Sequence, residues 1–317
     1  MHTSSTSVSK GSIAVIGLGK TGTAVGHLLR KAGYSVVAVT CSTQESVQYG
    51  VRYTGGKAFT SDANAEAASL AECIFITTPD DSIASVCDDL VRQGGIKPGD
   101  KVIHMSGSGG LDLLASARRA GAMVASIHPL QSFADVEGAI SNIPLSIFGI
   151  TADEDLREWS AGLVRALGGI PFEIPAEVKP LYHAAACMVS NYLTTLINAA
   201  EEIYLSLGLS RDEAINAFRP LIAGTLKNLE MKGSVQALTG PISRGDAGTI
   251  EGHIRLFREK LPAYLPAYRT MGLLTVNLAM KKNTLAPERA AVIRKILEEE
   301  DGDPGEAIRG TRSAMSR

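Results

Sequence analysis

The sequence predicts an α/β domain built on a doubly wound parallel sheet, followed by an all-α domain. Up to about residue 175, short apolar runs rich in β-branched residues alternate with helical patterns, which is typical of parallel strands connected by helices. From residue 176 the strand-like runs disappear and long helical patterns replace them. The 317 residues suffice for two domains with full hydrophobic cores. We therefore expect domains at residues 11–175 and 176–300, and a disordered tail at residues 301–317.

The bulk composition indicates a globular protein and excludes several classes of function. Charged residues make up 20% of the chain and the formal net charge is −2, so neither nucleic acid nor an acidic membrane surface is an expected partner. No apolar run approaches the roughly 20 residues of a membrane helix, and the polar start M-H-T-S-S-T-S lacks the apolar core of a signal peptide. The four cysteines have no metal-ligand spacing, which favours reduced thiols in a cytoplasmic protein without a bound metal.

The first predicted strand leads into a glycine-rich turn. The apolar residues 13–16 precede Gly17, Gly19 and Gly22 in the spacing G-x-G-x-x-G, and a helical pattern follows. The first glycine permits the tight turn, the second lets a pyrophosphate approach the backbone, and the third lets helix and strand touch. Because a helix N-terminus also favours phosphate, we predict a Rossmann-type dinucleotide site; the alternative is a turn that binds no ligand. The predicted cofactor contacts here are Gly17, Leu18, Gly19, Lys20, Thr21 and Gly22.

The second predicted strand, residues 35–40, bears on the choice between NAD and NADP. In an NAD-binding domain its end normally carries Asp or Glu, which bonds the ribose 2′-hydroxyl. This chain has Thr40, Cys41, Ser42 and Thr43 there instead. Without a carboxylate nothing repels a 2′-phosphate, and hydroxyl groups can bond it, so the sequence favours NADP with Ser42 and Thr43 as contacts. The alternative is that Ser42 only caps the next helix.

The strand predicted at residues 73–77 contributes further cofactor contacts. It leads into Thr78 and Pro79, which follow the carboxyl end of the strand, where open α/β sheets bind ligands. We therefore expect both residues to contact the cofactor. Asp80 and Asp81 come next, and their position favours capping of the helix predicted up to residue 92 over a role in catalysis.

Two later strands, at residues 101–105 and 123–127, end in histidines at corresponding positions. His104 and His128 both lie where a strand finishes and a loop begins, on the predicted ligand side of the sheet. They raise the expectation of a site nearby, and Ser106, in the loop H-M-S-G-S-G-G, is a candidate substrate contact. The alternatives are histidines that only orient loops and a glycine-rich loop that is only a flexible turn.

The remaining elements are strands at residues 144–150 and 171–174, a helix at 153–167 between them, and then helices only. The first of these helices is predicted at residues 179–207. Its polar side chains lie largely on one stripe of an otherwise apolar helix: Lys179, His183, Ser190, Asn191 and Thr194. A buried polar stripe needs partners, which are either a ligand or neighbouring helices.

A second polar cluster follows in the helical half. A capping box, S-R-D-E at residues 210–213, opens a further helix, and the glycine-rich segment 239–253 comes later. Five functional groups are crowded into that segment: Arg244, Asp246, Thr249, Glu251 and His253. They favour a ligand-facing loop in which the arginine binds a carboxylate in a bidentate manner. The alternative is that Arg244 and Asp246 pair with each other and Thr249 caps a helix.

Several motifs together resemble a bacterial family of Rossmann-like proteins with a C-terminal domain of unknown function. They are I-G-L-G-K-T-G, I-T-T-P-D-D, H-M-S-G, H-P-L-Q-S-F, Y-H-A-A-A-C-M-V-S-N-Y and L-T-G-P-I-S-R-G-D-A-G-T-I-E-G-H, spread over residues 11–281. The wider resemblance is to the 6-phosphogluconate dehydrogenase-like reductases, which include β-hydroxyacid dehydrogenases, ketopantoate reductase and pyrroline-5-carboxylate reductase. It implies a helical second domain of that type, an NAD(P)-dependent oxidoreductase and a homodimer.

The resemblance also implies catalytic roles. In related reductases a lysine at the start of this helix is the general acid, and Lys179 matches it, whereas the next-turn Asn of the relatives is replaced by His183. A lysine at a helix N-terminus in a closed cleft should have a lowered pKa, which suits proton donation near neutrality. Ser243 or Thr239, with Glu251, would correspond to the Ser and Glu that hold substrate in ketopantoate reductase. The predicted catalytic residues are Lys179, His183, Asn191 and Glu251, and the predicted substrate contacts are Ser106, His128, Arg244 and Asp246.

Residues and resemblance together predict NADPH-dependent reduction of a 2-keto acid such as ketopantoate. Hydride would pass from the nicotinamide to the carbonyl carbon while Lys179 or His183 protonates the oxygen. The enzymatic alternatives are oxidation of a 3-hydroxy acid and reduction of a cyclic imine. An alternative of another class is an NADP-binding sensor without turnover, and the two polar clusters argue against it.

Overall fold

A computed structural model describes residues 10–299, and the tail predicted at residues 301–317 lies outside them. The chain divides into two compact units, the first ending at Leu193 and the second beginning at Thr194. The boundary predicted at residue 176 follows the change from strands to helices, whereas the division by contacts comes one helix later. Among residues 10–299, no helix is both long and apolar enough to span a membrane.

The described part of the first unit, residues 10–193, is built on eight strands. Their bounds are β1 Ser12–Ile16, β2 Ser35–Cys41, β3 Lys57–Thr60, β4 Cys73–Ile76, β5 Lys101–His104, β6 Met123–Pro129, β7 Ile147–Ala152 and β8 Ile170–Glu173. They form one sheet in the order β3-β2-β1-β4-β5-β6-β7-β8. Neighbouring strands are parallel, except that β7 runs antiparallel to β6. The predicted fold class, a Rossmann-type sheet followed by helices, is confirmed with this one difference.

Helices cover both faces of the sheet. They are α1 Lys20–Lys31, α2 Gln44–Thr54, α3 Asn64–Ser69, α4 Ile83–Arg92, α5 Ala115–Arg119, α6 Val136–Asn142 and α7 Arg157–Ala166. One face packs against α1, α2, α6 and α7, and the other packs against α3, α4 and α5. All four residues of β4 are buried, because helices exclude water from both of its faces. This double burial explains why the strands appear in the sequence as continuous apolar runs.

The strand order reverses at β1, which pairs with β2 on one side and with β4 on the other. Ligands in open α/β sheets bind at such a point, outside the carboxyl ends of the strands. Ile16 at the end of β1 is level with Ile76 at the end of β4, and Ile76 is level with His104 at the end of β5. The loops that follow these three strands therefore begin at one edge of the sheet.

The antiparallel strand β7 also begins at this edge. Pro129 at the end of β6 pairs with Phe148, and His128 pairs with Gly149. The connection through α6 returns the chain to the edge that it left, so β7 runs back along β6 instead of crossing over the sheet. The strand predicted at residues 144–150 is accordingly found slightly later, at Ile147–Ala152. As a consequence, the backbone of Gly149 lies beside His128.

The single helix predicted at residues 179–207 is interrupted at Ser190. The structure has α8 at Lys179–Val189 and α9 at Asn191–Ser206, and Ser190 (φ −116°, ψ −75°) departs from ideal helical values. Ser and Asn side chains compete with the helix backbone for hydrogen bonds, which explains a break at this dipeptide. The predicted polar stripe is therefore divided, with Lys179 and His183 on α8 and Asn191 at the start of α9.

The described part of the second unit is helical. After α9 come α10 Arg211–Ala237, α11 Pro241–Arg244, α12 Ala247–Lys260, α13 Leu265–Lys281 and α14 Pro287–Glu298. The predicted capping box of α10 is confirmed: the Glu213 N–H donates to Ser210 Oγ (3.4 Å), and the Ser210 N–H donates to Glu213 Oε2 (2.8 Å). Aliphatic side chains from α11 to α14, with Ile250, Val276 and Ile293 fully buried, hold these four helices together.

Candidate active site

The glycine-rich turn between β1 and α1 has the geometry of an anion site. Gly17 has a φ of 105°, which favours glycine, and a Cβ atom there would lie 2.9 Å from the Thr78 backbone nitrogen. A Cβ atom on Gly22 would clash with the Gly17 carbonyl oxygen. Gly19 differs, because a Cβ atom there would meet no atom of residues 10–299 within 4 Å. The turn is thus tight at its first and third glycines and open at the second, as the approach of a pyrophosphate requires.

The N-terminus of α1 completes this site. Gly19 immediately precedes the helix, and no side chain caps its first turn. The backbone N–H groups of that turn and the helix dipole therefore favour an anion. Lys20 and Thr21 form the start of the helix, and Lys20 is exposed, whereas the side chain of Leu18 is buried in the core. The residues present fit a dinucleotide, with Leu18 contributing only backbone atoms.

Threonines at the ends of two strands hold the turn in place. Thr40 Oγ1 accepts a hydrogen bond from the Gly17 N–H (3.3 Å), and Thr77 Oγ1 donates to the Gly17 carbonyl oxygen (2.6 Å). Sequence reasoning missed Thr77, because its role depends on β1 and β4 being neighbours. Thr78 Oγ1 is buried without a hydrogen-bond partner among the described residues, which leaves it available to a ligand. Pro79 is exposed.

Hydroxyl groups are exposed at the end of β2. Thr43 caps α2, because its Oγ1 accepts the Ser46 N–H (3.2 Å) while its hydroxyl donates to Ser46 Oγ (2.8 Å). The alternative in which Ser42 caps this helix is therefore wrong, and Ser42 is exposed between strand and helix. The chain offers hydroxyl groups where an NAD-binding domain normally has a carboxylate.

His104, at the end of β5, uses both ring nitrogens to hold the loop that follows it. The Ser106 N–H donates to Nδ1 (3.2 Å), so the ring proton lies on Nε2, which donates to the Gly110 carbonyl oxygen (3.0 Å). Burial lowers the pKa of His104 to about 4, since a charged ring would be deprived of water. Of the two alternatives that the sequence leaves for this residue, the structure favours a histidine that orients its loop.

Ser106 connects the same loop to the segment after β4. Its Oγ donates to Asp80 Oδ2 (2.5 Å) and accepts the Gly109 N–H (2.8 Å). Capping, the role that the sequence favours for Asp80 and Asp81, is not observed, because no side chain caps the helical turns that begin here. Ser106 is buried and Asp80 is exposed, so the pair places a carboxylate at the carboxyl edge of the sheet.

His128 differs from His104 in the partners of its ring nitrogens. Its Nδ1 lies 3.1 Å from Tyr182 Oη, and the two rings meet edge to face. Its Nε2 lies against Gly107, where a Cβ atom would be 2.8 Å away. Burial, and secondarily the charge of Lys179, lowers the pKa of His128 to about 4. His128 is thus held by the Tyr182 side chain at Nδ1, and its Nε2, unlike that of His104, makes no hydrogen bond to the described residues of the loop that follows it.

Lys179, the first residue of α8, is completely buried. Its Nζ has no hydrogen-bond partner among the described residues. Burial lowers the pKa of Lys179 to about 8, while the negative charge of Asp80 opposes that shift. The position at a helix N-terminus is also unfavourable for a cation. A buried, unpaired ammonium is costly, and such groups in proteins normally have a water or ligand partner.

His183 lies one turn after Lys179 on α8. Its Nδ1 is buried without a partner among the described residues, and its Nε2 lies 3.5 Å from Cys187 Sγ. The ring meets that of His128 edge to face, with 5.8 Å between centroids. The first unit therefore brings together Lys179, His183, His128 and the Ser106–Asp80 pair. Within residues 10–299, no group of three or more His, Cys, Asp or Glu side chains is arranged to hold a metal ion.

The segment predicted as a ligand-facing loop, residues 239–253, is mostly helical, so the loop prediction is wrong. It contains α11 and the first half of α12. Asp246 caps α12, and its carboxylate accepts both the N–H (3.1 Å) and the hydroxyl proton (2.7 Å) of Thr249. Ser243 is buried, and its hydroxyl is hydrogen-bonded to Thr284 Oγ1 (2.9 Å). These polar atoms form hydrogen bonds to one another within the second unit, and those of Asp246 and Thr249 cap a helix.

Three further predicted site residues are exposed in the structure. Arg244 ends α11, Glu251 lies on α12, and Asn191 begins α9. Their contact with substrate, like that of Asp246, stays a prediction.

Two family matches divide the chain. Residues 2–129 match the Rossmann-like domain, and residues 146–275 match the domain of unknown function DUF2520. The chain thus contains a Rossmann-like domain followed by a DUF2520 domain. The resemblance stated from the motifs is thereby confirmed, while the comparison with curated proteins gives no match. The candidate site draws on both segments, because Asp80, Ser106 and His128 precede residue 129 whereas Lys179 and His183 follow residue 146.

Solved structures resemble this protein over most of its length. A candidate NADP oxidoreductase from Bacteroides fragilis is 20% identical with a TM-score of 0.66, and the match covers 90% of this chain and 98% of that one. Protein TM1727 of Thermotoga maritima is 23% identical with a TM-score of 0.62, again covering 90% and 98%. The pyrroline carboxylate reductase of Plasmodium falciparum, with NADP bound, is 14% identical with a TM-score of 0.53, covering 90% and 99%. These likenesses show a common fold.

Proposed function

We propose that this protein is an NAD(P)-dependent reductase of a small carbonyl compound, with NADPH as the favoured cofactor and a 2-keto acid such as ketopantoate as substrate. The observation that carries the proposal is the buried ammonium of Lys179, which has no hydrogen-bond partner among residues 10–299. Lys179 belongs to the same compact unit as the glycine turn, whose open second glycine fits a dinucleotide. The similar folds described as an NADP oxidoreductase or with NADP bound support this class.

The residues that would hold the cofactor surround the glycine turn. The N–H groups at the start of α1 would bind the pyrophosphate, and Thr78 Oγ1 offers an unused hydrogen-bonding position. Ser42 and Thr43 would contact the 2′-phosphate, and NADPH is favoured because residues 40–43 at the end of β2 include no carboxylate to repel it. When bound, a reduced nicotinamide supplies a hydride. The protein itself must then supply a proton.

Lys179 suits the role of proton donor. Reduction converts a carbonyl oxygen into an alkoxide, which a nearby general acid protonates. With a pKa of about 8, Lys179 is mostly charged at neutral pH and releases its proton more readily than an exposed lysine. His183 is the second candidate, because its Nδ1, one turn later, is buried and unpaired in the part of the chain that the structure describes. Since no described residue pairs with either nitrogen, both can contact a substrate oxygen.

Reduction of a cyclic imine is a second candidate function, because the fold is shared with a pyrroline carboxylate reductase. The two substrates place opposite demands on the site. A carbonyl oxygen gains negative charge as hydride arrives, which a buried cation stabilises. An imine must itself be cationic to accept hydride, and the charge of Lys179 would repel it. The geometry therefore favours the carbonyl.

We also propose that the protein forms a homodimer, as the resemblance implies. Helix α10 exposes large apolar side chains, among them Leu221 (68% exposed), Leu226 (52%) and Met231 (68%). These three side chains lie on different faces of α10, and a helix that is apolar on several faces is normally covered by other protein. Sedimentation at several protein concentrations measures the oligomeric state, and a monomer throughout would contradict this part of the proposal.

NADPH oxidation by the purified protein tests the proposed reaction. Ketopantoate, other 2-keto acids and pyrroline-5-carboxylate are each mixed with NADPH or NADH, and the absorbance of the reduced nicotinamide is followed. Turnover of a 2-keto acid with NADPH supports the proposal, and rescue of a pantoate auxotroph by the gene would support ketopantoate in particular. Turnover of the imine alone would favour the second candidate. NADPH binding without any turnover would identify a nucleotide sensor instead.

A further inference from the structure

Tyr182 lies between strand β7 and the imidazole of His128. Its Oη is 3.1 Å from His128 Nδ1, and the two rings meet at 88° with 5.7 Å between centroids. The phenol lies directly against the strand, because a Cβ atom on Gly149 would be 2.8 Å from Tyr182 Oη. The glycine at position 149 therefore makes room for this ring, and the ring in turn contacts a histidine of the candidate site.

The direction of the Tyr182–His128 hydrogen bond follows from the partners of the phenol. Burial raises the pKa of Tyr182, so the phenol keeps its proton at neutral pH. Among the described residues, His128 Nδ1 is the one side-chain hydrogen-bond partner of Tyr182 Oη, so the phenol donates its proton to that nitrogen. A neutral imidazole carries one proton, so the proton of His128 must then be on Nε2.

The Nε2 atom of His128 lies on the same side of the site as an unsatisfied nitrogen of His183. It lies against Gly107, and the Nδ1 atom of His183 lies against the same glycine. That Nδ1 atom is buried without a partner among the described residues. The charged and titratable groups that face His128 are Lys179, His183, Asp80 and His104, and the cation among them disfavours a second positive charge on the ring. His128 therefore stays neutral and presents an N–H beside Gly107.

We propose that Tyr182 is a positioning residue that holds His128 as the Nε2–H tautomer, so that this N–H, beside His183, binds an oxygen of the carbonyl substrate. The proposal rests on the proposed reductase function for its substrate, but not for the tautomer. Without the phenol, the ring proton of His128 is free to move to Nδ1. The Nε2 lone pair would then face the substrate oxygen and repel it, so substrate binding would weaken.

The tautomer of His128 is measured directly in the protein alone. Wild type is labelled with ¹⁵N-histidine, and long-range proton–nitrogen correlations distinguish protonated from bare ring nitrogens at neutral pH. His128 is identified among the six histidines by the signals missing from His128→Gln. We expect wild type to show Nε2 protonated and Nδ1 bare, and Tyr182→Phe to show a mixture of the two tautomers. A wild-type ring protonated on Nδ1, or one unaltered in Tyr182→Phe, would overturn the proposal.

A second tyrosine–histidine pair provides the matched control. Tyr268 Oη lies 2.7 Å from His253 Nδ1 in the second unit, with the same 5.7 Å between ring centroids. With NADPH and ketopantoate, Tyr182→Phe should raise KM for ketopantoate roughly 3- to 10-fold, the value of one hydrogen bond, and leave the Kd of NADPH unchanged. Tyr268→Phe should change neither.

The kinetic and spectroscopic results separate two kinds of failure. An equal KM in Tyr182→Phe and wild type would overturn the binding role of His128, while a rise in Kd for NADPH would indicate a general structural effect and also count against it. Absence of turnover in wild type would contradict the proposed function, and the tautomer measurement would still decide whether Tyr182 fixes the ring of His128.

Discussion

The carboxyl edge of the sheet and the α11–α12 segment of the second unit are both crowded with polar groups, but those groups are satisfied in different ways. At the edge, Lys179 Nζ and His183 Nδ1 are buried and have no partner among the described residues. In α11–α12, Asp246 and Thr249 bond each other to cap a helix, and Ser243 bonds a neighbouring threonine. The difference shows that unsatisfied buried atoms, rather than the density of functional groups, indicate where a ligand is expected.

Lys179→Met should have the largest effect of the substitutions at the carboxyl edge of the sheet. Loss of the proton donor should lower kcat roughly 100- to 10,000-fold with little change in the Kd of NADPH. The same variant should be more stable at neutral pH, because the fall in the pKa of Lys179 from 10.5 to about 8 reflects the cost of burying its charge. Kinetics and chemical denaturation measure the two effects, with the exposed Lys31→Met as control. Unchanged turnover would remove Lys179 from the mechanism.

Acidic pH should lower the stability of the folded protein, because His104 at the carboxyl edge of the sheet resists protonation. The folded protein holds the pKa of His104 at about 4, below its ordinary 6.5, so the unfolded chain binds the proton more readily between those values. The free energy of unfolding should therefore fall as pH decreases from 6.5 towards 4, by up to roughly 3 kcal/mol from this residue. Urea denaturation across that range measures the fall. His104→Gln should make it shallower, and an equally steep fall in the variant would assign the acid sensitivity to other groups.

The pH profile of turnover sharpens the assignment of the proton donor. If Lys179 must be protonated, kcat should be constant below its pKa of about 8 and decline above it, approaching about tenfold per pH unit. Asp80→Asn removes the negative charge that opposes the fall in this pKa, so the decline should begin at lower pH. A profile that does not move in Asp80→Asn would argue that another group donates the proton.

Asp246→Ala tests the other side of the comparison, and its effect should be the smallest. Loss of the cap of α12 should lower the free energy of unfolding by about 1 kcal/mol, and Asp246→Ser, which keeps a capping oxygen, should restore most of it. Thermal denaturation measures both variants. A rise in KM that serine does not rescue would instead place Asp246 among the substrate contacts and break the comparison.

Local sequence patterns are sufficient to predict the glycine-rich turn after β1 and the common helix face of Lys179 and His183. The spacing of Gly17, Gly19 and Gly22 after an apolar strand determines a strand–turn–helix unit, and Lys179 and His183 are one helical turn apart whatever surrounds them. Contacts that depend on the order of the strands in the sheet are harder to predict from the sequence. Neither the bond from Ser106 to Asp80 nor the support from Thr77 follows from the sequence, because each joins residues after different strands.

Two errors have a common physical origin. Polar, glycine-rich sequence predicts a loop at residues 239–253, but Asp246 and Gly245 there end one short helix and begin the next. Tyr182 was missed because its environment is created by the antiparallel turn from β6 to β7, which places Gly149 beside His128. A glycine followed by an aromatic residue some thirty positions later carries no local pattern that would reveal such a contact.

The pairing of β6 with β7 has a consequence for how this protein can be divided. The Rossmann-like match ends at residue 129 with β6, the DUF2520 match begins at residue 146 just before β7, and the two strands are hydrogen-bonded neighbours. A fragment cut between the two matches would keep only β7 and β8 of this sheet, packed against α7, and β7 would lose its hydrogen-bonded neighbour β6. The other fragment would expose the unpaired edge of β6, and exposed strand edges promote aggregation. We therefore expect neither matched segment to fold independently, because exchanging either one at the boundary between the matches would divide a single sheet.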